Sequence, residues 1–160
     1  MPTPDFILSL REKVGHAELW LPGVTAVIRR EGADGTTEVL LVQRSDNHAW
    51  TPVTGIVDPG EDPGVAARRE ALEETGVEIR VDRLAQVTAG EQVAYPNGDR
   101  NIFLDHTFAC TWLGGEAHVA DDESVDVGWF SLATAPPLSE RMRQRIEVGL
   151  SDEVAARFRA

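Results

Sequence analysis

Residues 55–77 read GIVDPGEDPGVAARREALEETGV, and they carry the clearest structural signals of the chain. Asp62 followed by Pro63 is a helix-start signal, because a short polar side chain can cap the first turn and proline suits the first helical position. Gly76 can adopt the left-handed conformation that ends many helices. The pattern therefore predicts a helix from Pro63 to about Thr75, entered through a loop.

The predicted helix carries three glutamates on one side, at offsets of three and four: Glu70, Glu73 and Glu74. Like charges at these offsets repel, and the negative end of the helix dipole disfavours carboxylates in the last turn. Each effect costs between a few tenths of a kcal/mol and about 1 kcal/mol. A divalent cation would remove both, and clustered oxygen ligands suit Mg²⁺ or Mn²⁺. Taken alone, the glutamates are explained more simply as a solvated acidic face.

The wider pattern resembles the signature of the Nudix hydrolase family. That signature is Gly, five residues, Glu, seven residues, Arg-Glu, an apolar residue, any residue, Glu-Glu, any residue, Gly and an apolar residue. All of its positions are present in register: Gly55, Glu61, Arg69, Glu70, Ala71, Glu73, Glu74, Gly76 and Val77. So long a match is far more specific than a short glycine-rich motif. The resemblance implies an αβα sandwich with a mixed sheet, in the α/β (α+β) class.

Roles for individual residues follow from the resemblance. It implies four metal ligands: the backbone carbonyl of Gly55 and the carboxylates of Glu70, Glu73 and Glu74. Arg69 would orient a glutamate of the box, and an ordinary ion pair with Glu73 is compatible with that role. Glu61 would support the loop that enters the helix. The reaction would be metal-assisted hydrolysis of a diphosphate linkage.

The proton acceptor in that reaction has several candidates. Glu73 is the first choice inside the box, because a carboxylate near the metal can take a proton from water. Outside the box, Glu123 ends the acidic run 121–123 and resembles the second acidic position of the family. A solvated turn explains that run equally well. Asp105 is a weaker candidate on the more polar face of its strand.

Substrate contacts are predicted at the ends of strands. Arg44 follows a strand, where family members often place an arginine near the substrate phosphates, and a planar fork of donors suits that task. Trp50, Tyr95 and Phe103 could stack a base, although each is more often core or turn filler. The family implies a small nucleotide substrate, with nucleoside triphosphates, ADP-ribose, sugar nucleotides and dinucleoside polyphosphates all open.

Composition limits the partners. The chain has 160 residues, 42% of them hydrophobic and 26% charged, which suits one domain spanning residues 1–160. Its net charge of −12 argues against a nucleic-acid polymer or an anionic membrane as partner. The single cysteine, Cys110, permits no intrachain disulfide, and the start of the chain lacks the pattern of a signal peptide. We therefore expect a cytoplasmic protein.

The remaining elements are predicted from periodicity and turn residues. We expect an N-terminal helix capped by Asp5, a second strand covered on both faces, a loop before the box, and two C-terminal helices. The predicted bounds are 5–14 for the first helix, 24–30 and 37–43 for strands, 44–53 for the loop, 77–87 extended, 95–99 for a turn, 102–112 and 125–129 for strands, and 139–150 and 152–160 for helices.

Two other functions compete with hydrolysis. A nucleotide-binding regulator that has lost catalysis is the main alternative, although such a protein need not keep all three box glutamates. A diphosphate isomerase is less favoured, because the surroundings of Cys110 are apolar rather than typical of a catalytic thiol. Family members are often homodimers, and the sequence permits a homodimer without requiring one.

Overall fold

A mixed sheet with a helix packed on each face makes up most of the chain. The computed structural model describes residues 3–160. The helices are α1 (Asp5–Val14), α2 (Pro63–Thr75) and α3 (Glu140–Leu150). The strands are β1 (Leu19–Glu31), β2 (Thr37–Arg44), β3 (Trp50–Thr51), β4 (Val53–Ile56), β5 (Glu78–Ala89), β6 (Val93–Ala94), β7 (Arg100–Gly114) and β8 (Ser124–Phe130).

Strand β1 organises the sheet, whose main order is β3-β2-β1-β7-β5. It runs parallel to β7 and antiparallel to its other neighbours. Along one edge, its last residues pair with β2 and its earlier residues pair with β4, which places Gly55 opposite Val24. The box therefore begins on a short strand paired with β1, the central strand of the main order, and the predicted sandwich with a mixed sheet is confirmed.

Strand β2 is covered on both faces, as its apolar run predicts. Leu40 and Val42 belong to the core cluster that contains the alanines of α2. Val39 and Leu41 belong to a second cluster that contains Ile146 of α3. Because successive strand residues point to opposite faces, α2 and α3 lie on opposite sides of the sheet.

The box helix has the predicted bounds, but its first turn differs from the prediction. Gly76 is left-handed at φ 70°, and its N–H donates to the Leu72 carbonyl. Asp62 occupies the N-cap position without a side-chain hydrogen bond to the first turn, so the expected cap is wrong in its chemistry. At α1 the N-cap is Pro4 and not the expected Asp5. Asp5 lies in the first turn, where its negative charge interacts favourably with the helix dipole.

Two further predictions need correction. The expected loop 44–53 contains β3, and β4 follows it within the expected entry to the box. These strands are too short to show alternation, and pairing with β2 and β1 creates them. Residues 152–160 form no helix: the N–H and carbonyl of Arg157 bond to Ala85 and Val87 of β5.

The second predicted C-terminal helix fails for a physical reason. Val154 and Phe158 are largely exposed, so the apolar positions of the segment have no core surface against which a helix could pack. Pairing with β5 instead satisfies part of its backbone. Within residues 3–160, no helix is long and apolar enough to cross a membrane.

Candidate active site

The centre of the site is the contact between β4 and α2. Glu70 is buried, and its side chain packs against Gly55. A Cβ on residue 55 would lie 2.2 Å from the carboxyl carbon of Glu70, which is a steric overlap. Gly55 has no positive φ, so the close approach of the glutamate, and not a special backbone conformation, is what requires glycine here. The first glycine of the box thus makes room for one of its carboxylates.

Glu74 lies one turn further along α2 and is also buried. Burial, together with the nearby negative charges of Glu70, Glu123 and Asp121, raises the pKa of Glu74 to about 9, against the lowering effect of Arg44. Burial is also the main reason that the pKa of Glu70 is raised to about 7, against the lowering effect of Arg69. The structure therefore concentrates carboxylates in a place where their negative charge is poorly solvated.

Arg69 connects the box helix to its entry loop. Its guanidinium donates from Nε to Glu61 Oε1 at 2.9 Å and from Nη2 to Glu61 Oε2 at 2.8 Å. Nη2 also donates to the Ile56 carbonyl at 3.1 Å, and Nη1 donates to Glu70 Oε1 at 2.8 Å. Hydrogen bonding to Glu61 raises the pKa of Arg69, and the same contact holds the pKa of Glu61 below its usual value.

Glu73 has a different environment from the other two helix glutamates. Its carboxylate lies 3.2 Å from Nη1 of Arg69, and its side chain is 42% exposed. The structure thus brings Glu70 and Glu74 together in the interior and leaves Glu73 at the edge of the site. The ion pair with Arg69 matches the simpler of the two roles that the sequence suggests for that arginine.

The acidic loop, residues 115–123, is docked on the C-terminal end of α2. The N–H groups of His118 and Ala120 donate to the carbonyls of Thr75 and Glu74, both at 3.1 Å. The His118 ring packs against Gly76, leaving no room for a side chain there. These bonds satisfy helix-end carbonyls and bring the acidic run to the box. Sequence patterning offers no signal for this docking, because backbone atoms make it.

Glu123 is joined to the site from the other side as well. Its carbonyl accepts a hydrogen bond from the N–H of Ser45 at 2.7 Å, and Ser124 pairs with Arg44 across β2 and β8. The negative charge of Glu123 contributes to the raised pKa values of both Glu70 and Glu74. The predicted second acidic position and the predicted phosphate arginine are therefore neighbours of the buried carboxylates.

The guanidinium of Arg44 forms a bidentate ion pair with the carboxylate of Asp46. Its Nε and Nη2 donate to the two oxygens of Asp46 at 2.9 and 2.8 Å, and this bond raises the pKa of Arg44. Such a two-pronged pair shows that the guanidinium fork is oriented to receive a planar or tetrahedral anion. The sequence pattern does not single out Asp46, and its spacing of two residues from Arg44 is the only local signal for this pair. Tyr95 lies close enough to interact electrostatically with Arg44 and Glu123.

Three other residues lie apart from the carboxylates. Trp50 packs edge-to-face on Phe130 against the α3-side cluster, across the sheet from α2. Asp105 is buried with Arg145 of α3, their charged atoms 3.2 Å apart, and it accepts hydrogen bonds from Thr25 and Thr107. These contacts favour a structural role for Asp105 over its weak candidacy as a general base.

Cys110 is the third of these residues. It lies in the apolar core on the α2 side, and burial raises the pKa of its thiol to about 12. A thiol with so high a pKa is a poor nucleophile at neutral pH. This environment agrees with the low ranking of an isomerase.

The residues of the site fit a divalent cation. Glu70 and Glu74 are buried carboxylates with raised pKa values, so a cation beside them would offset an unfavourable charge. Among residues 3–160, no three His, Cys, Asp or Glu side chains already converge as a closed cage. Mg²⁺ does not require one, since it usually keeps several waters and binds through one or two carboxylates.

Comparison with known proteins agrees with this geometry. The family model described as NUDIX domain matches residues 20–148. A MutT-like protein of Streptomyces ambofaciens is 33% identical over 129 residues, covering 81% of this chain and 73% of that protein. An NAD-capped RNA hydrolase of Vibrio cholerae is 28% identical over 142 residues, covering 86% of this chain and 48% of that protein, so the chain spans about half of its length.

A solved structure shows the same fold. The MutT NUDIX hydrolase from Burkholderia pseudomallei superposes with a TM-score of 0.59 at 27% identity, covering 81% of this chain and 97% of that one. The family match covers most of the chain, including the whole box and the sheet around it. The chain therefore belongs to the Nudix family and is a Nudix pyrophosphohydrolase.

Proposed function

We propose that the protein is a divalent-cation-dependent hydrolase that cleaves the diphosphate linkage of a small nucleoside diphosphate derivative. Nucleoside triphosphates, ADP-ribose and sugar nucleotides are the candidate substrates. The observation that carries the proposal is the buried pair Glu70 and Glu74 at the end of α2, with Arg44 and Glu123 beside it. This arrangement joins a cation site to an anion-binding guanidinium.

In the proposed mechanism, Glu70 and Glu74 would hold the cation, and Glu73 and the Gly55 carbonyl would be further ligands. A bound Mg²⁺ or Mn²⁺ would supply positive charge for the phosphoryl oxygens and the departing phosphate. Arg69 fixes Glu70 through the bond at 2.8 Å, so one cation ligand is held in place before substrate binds.

The remaining residues act on the substrate and the attacking water. Arg44 binds a substrate phosphate by exchanging its contact with Asp46 for one with the phosphate oxygens. Water attacks phosphorus, the bond to the bridging oxygen breaks, and that oxygen leaves with the electron pair. The water proton passes to Glu73 or to Glu123, which are the two candidate acceptors. Tyr95 contributes a further contact near Arg44.

The substrate is expected to be small and not a nucleic-acid polymer. The net charge of −12 argues against a nucleic-acid polymer, because proteins usually bind a phosphate backbone through basic surfaces. The Vibrio relative is named for a capped RNA, in which a nucleotide diphosphate linkage is joined to a polymer. A capped RNA therefore belongs in the substrate panel as the contrasting substrate.

The test is a panel of nucleotides incubated with Mg²⁺, Mn²⁺ or EDTA, with the products separated by chromatography. We expect cleavage of a diphosphate linkage in at least one small nucleotide, and no cleavage in EDTA. Labelled water would show which phosphorus is attacked. Binding of nucleotides without products, under conditions in which the protein is folded, would favour the inactive regulator. Preferential cleavage of the capped RNA would contradict the small-substrate assignment.

A further inference from the structure

Helix α1 lies outside the matched family region, residues 20–148. It nevertheless contacts residues 99–101, at the end of the turn that carries Tyr95. The Arg11 side chain is only 11% exposed. Its Nη2 donates to the Arg100 carbonyl at 3.0 Å and to Oδ1 of Asn101 at 2.6 Å. Its Nε lies 3.3 Å from Oδ1 of Asp99, an ion pair without hydrogen-bond alignment. One arginine thus contacts three consecutive residues.

The segment just after α1 adds a second contact to the same turn. Nδ1 of His16 lies 2.8 Å from Oδ1 of Asp99, and Arg11 itself is anchored by donating from Nη1 to the Gly15 carbonyl at 3.0 Å. Because Arg11 is held by its own helix end and is largely buried, its guanidinium is a rigid support for the turn.

The supported turn carries Tyr95. The N–H of Tyr95 donates to the Asp99 carbonyl at 2.9 Å, and the N–H of Gly98 donates to the Tyr95 carbonyl at 2.9 Å. Asn101 is buried, with 6% of its surface exposed, and its side chain lowers the pKa of Tyr95, as a hydrogen-bond donor near the phenol would. Since the amide oxygen of Asn101 accepts from Arg11, its amide nitrogen is the donor that remains for the tyrosine.

Tyr95 in turn belongs to the electrostatic surroundings of the candidate phosphate arginine. Burial raises the pKa of Tyr95, while Asn101 and Arg44 lower it. Arg44 feels the same neighbours, because Tyr95 and Glu123 both contribute to its raised pKa. Contacts therefore run from α1 to the turn that carries Tyr95, and Tyr95 lies within electrostatic reach of Arg44.

We propose that Arg11 is a positioning residue for the nucleotide site, which orients Asn101 and the turn 95–99 so that Tyr95 is held on the side of the site that carries Arg44. The inference rests on the proposed function, since it takes Arg44 and Tyr95 as contacts of a nucleoside diphosphate. Arg11 itself does not touch substrate. Its effect reaches the nucleotide only through Tyr95.

The test is a double-mutant cycle between Arg11→Gln and Tyr95→Ala, read as the Kd of ADP in the presence of Mg²⁺ by calorimetry. We expect Arg11→Gln to weaken ADP binding about tenfold in the wild-type background and less than about twofold in the Tyr95→Ala background. With an accepted substrate, KM should rise while kcat changes less than about twofold. Arg11→Lys should restore part of the affinity, because it keeps one charged donor.

Two variants guard against a purely structural effect. Lys13→Gln changes an exposed cation on the same helix and should leave the Kd of ADP unchanged. If Arg11→Gln does not fold, Asp99→Asn can replace it, because this substitution weakens the ion pairs of Asp99 with Arg11 and His16. It should weaken ADP binding in the same Tyr95-dependent way. Urea unfolding of each variant would confirm that the measured protein is folded.

Several outcomes would overturn the inference. These are equal losses in both Tyr95 backgrounds, an equal loss for Lys13→Gln, or no ADP binding by the wild-type protein. The two proposals fail separately: ADP binding with a coupled cycle but no hydrolysis of any nucleotide rejects the proposed function alone. Hydrolysis with an additive cycle rejects the positioning role of Arg11 alone.

Discussion

The side chain of Glu70 occupies the space that a Cβ on Gly55 would need. This contact joins the strand that begins the box to the helix that carries its carboxylates. It gives the first glycine of the box a steric reason. It also makes the position of Glu70 sensitive to the smallest possible enlargement of residue 55.

Gly55→Ala should displace Glu70 and lower kcat/KM by about a hundredfold, because shifts of about 1 Å at a reacting centre can have that effect. We also expect a loss of about 1–3 kcal/mol in the free energy of unfolding from overpacking. Gly114→Ala is the matched control, since a Cβ there meets no atom within 4 Å. Steady-state kinetics and urea unfolding would check both variants. Unchanged kinetics of Gly55→Ala would contradict the role of this contact.

Glu74→Gln should reduce turnover by several orders of magnitude while the fold remains intact. The substitution keeps the shape of the side chain but removes a buried negative charge that we assign to cation binding. Glu78→Gln, at an exposed glutamate at the start of β5, should leave turnover unchanged. The measurements are turnover over a range of Mg²⁺ concentrations and circular dichroism. Near-normal activity of the folded Glu74→Gln variant would reject the metal assignment.

The stability of the metal-free protein should fall as pH rises. The pKa of Glu70 is raised to about 7 and that of Glu74 to about 9, above the usual value of 4.5. The native state then holds protons that the unfolded chain releases. These two groups therefore favour folding fully below about pH 4.5, and that contribution is lost as pH rises through about 7 and 9.

Urea unfolding in EDTA should show this loss as on the order of 5 kcal/mol between about pH 6 and about pH 9. Glu74→Gln should flatten the dependence, because it removes the group with the higher pKa. Added Mg²⁺ should restore stability most at the alkaline end, where both carboxylates are ionised. A stability in EDTA that rises over this range, with no response to Mg²⁺, would be incompatible with the proposed site.

Arg44 and Asp46 should have opposite effects on substrate affinity. Arg44→Gln should raise KM about tenfold or more, through loss of a charge-assisted contact with phosphate. Asp46→Asn should lower KM about two- to fivefold, because a partly exposed ion pair that competes with substrate is worth about 0.5–1 kcal/mol. Michaelis constants of both variants would check this. A rise in KM for Asp46→Asn would mean that Asp46 orients Arg44 instead of competing for it.

Asp105→Asn should alter stability and not chemistry. The substitution leaves Arg145 as a buried charge with a weakened partner, and breaking a buried pair costs about 3–5 kcal/mol. We expect a lower free energy of unfolding, with kcat of the folded protein within about twofold of wild type. A large loss of kcat in a fully folded Asp105→Asn variant would support Asp105 as a proton acceptor.

Much of the fold could be predicted from local signals. The box helix has the predicted bounds because proline and glycine mark its ends, and β2 is buried on both faces because its apolar run has no polar side. The short strands β3 and β4 could not be predicted, because partners distant in the chain determine them. The tail 152–160 shows helical periodicity, but tertiary pairing with β5 determines its conformation.

The sequence by itself determined the family pattern, the electrostatic strain of clustered glutamates and the residue types of the site. Only the tertiary structure decided how those residues are divided. It buries Glu70 and Glu74 and leaves Glu73 partly exposed. It also pairs Arg44 with Asp46, and the loop docked on α2 places Glu123 near the site. The physical reason is that burial and charge proximity depend on packing between distant segments, whereas spacing along one helix is a local property.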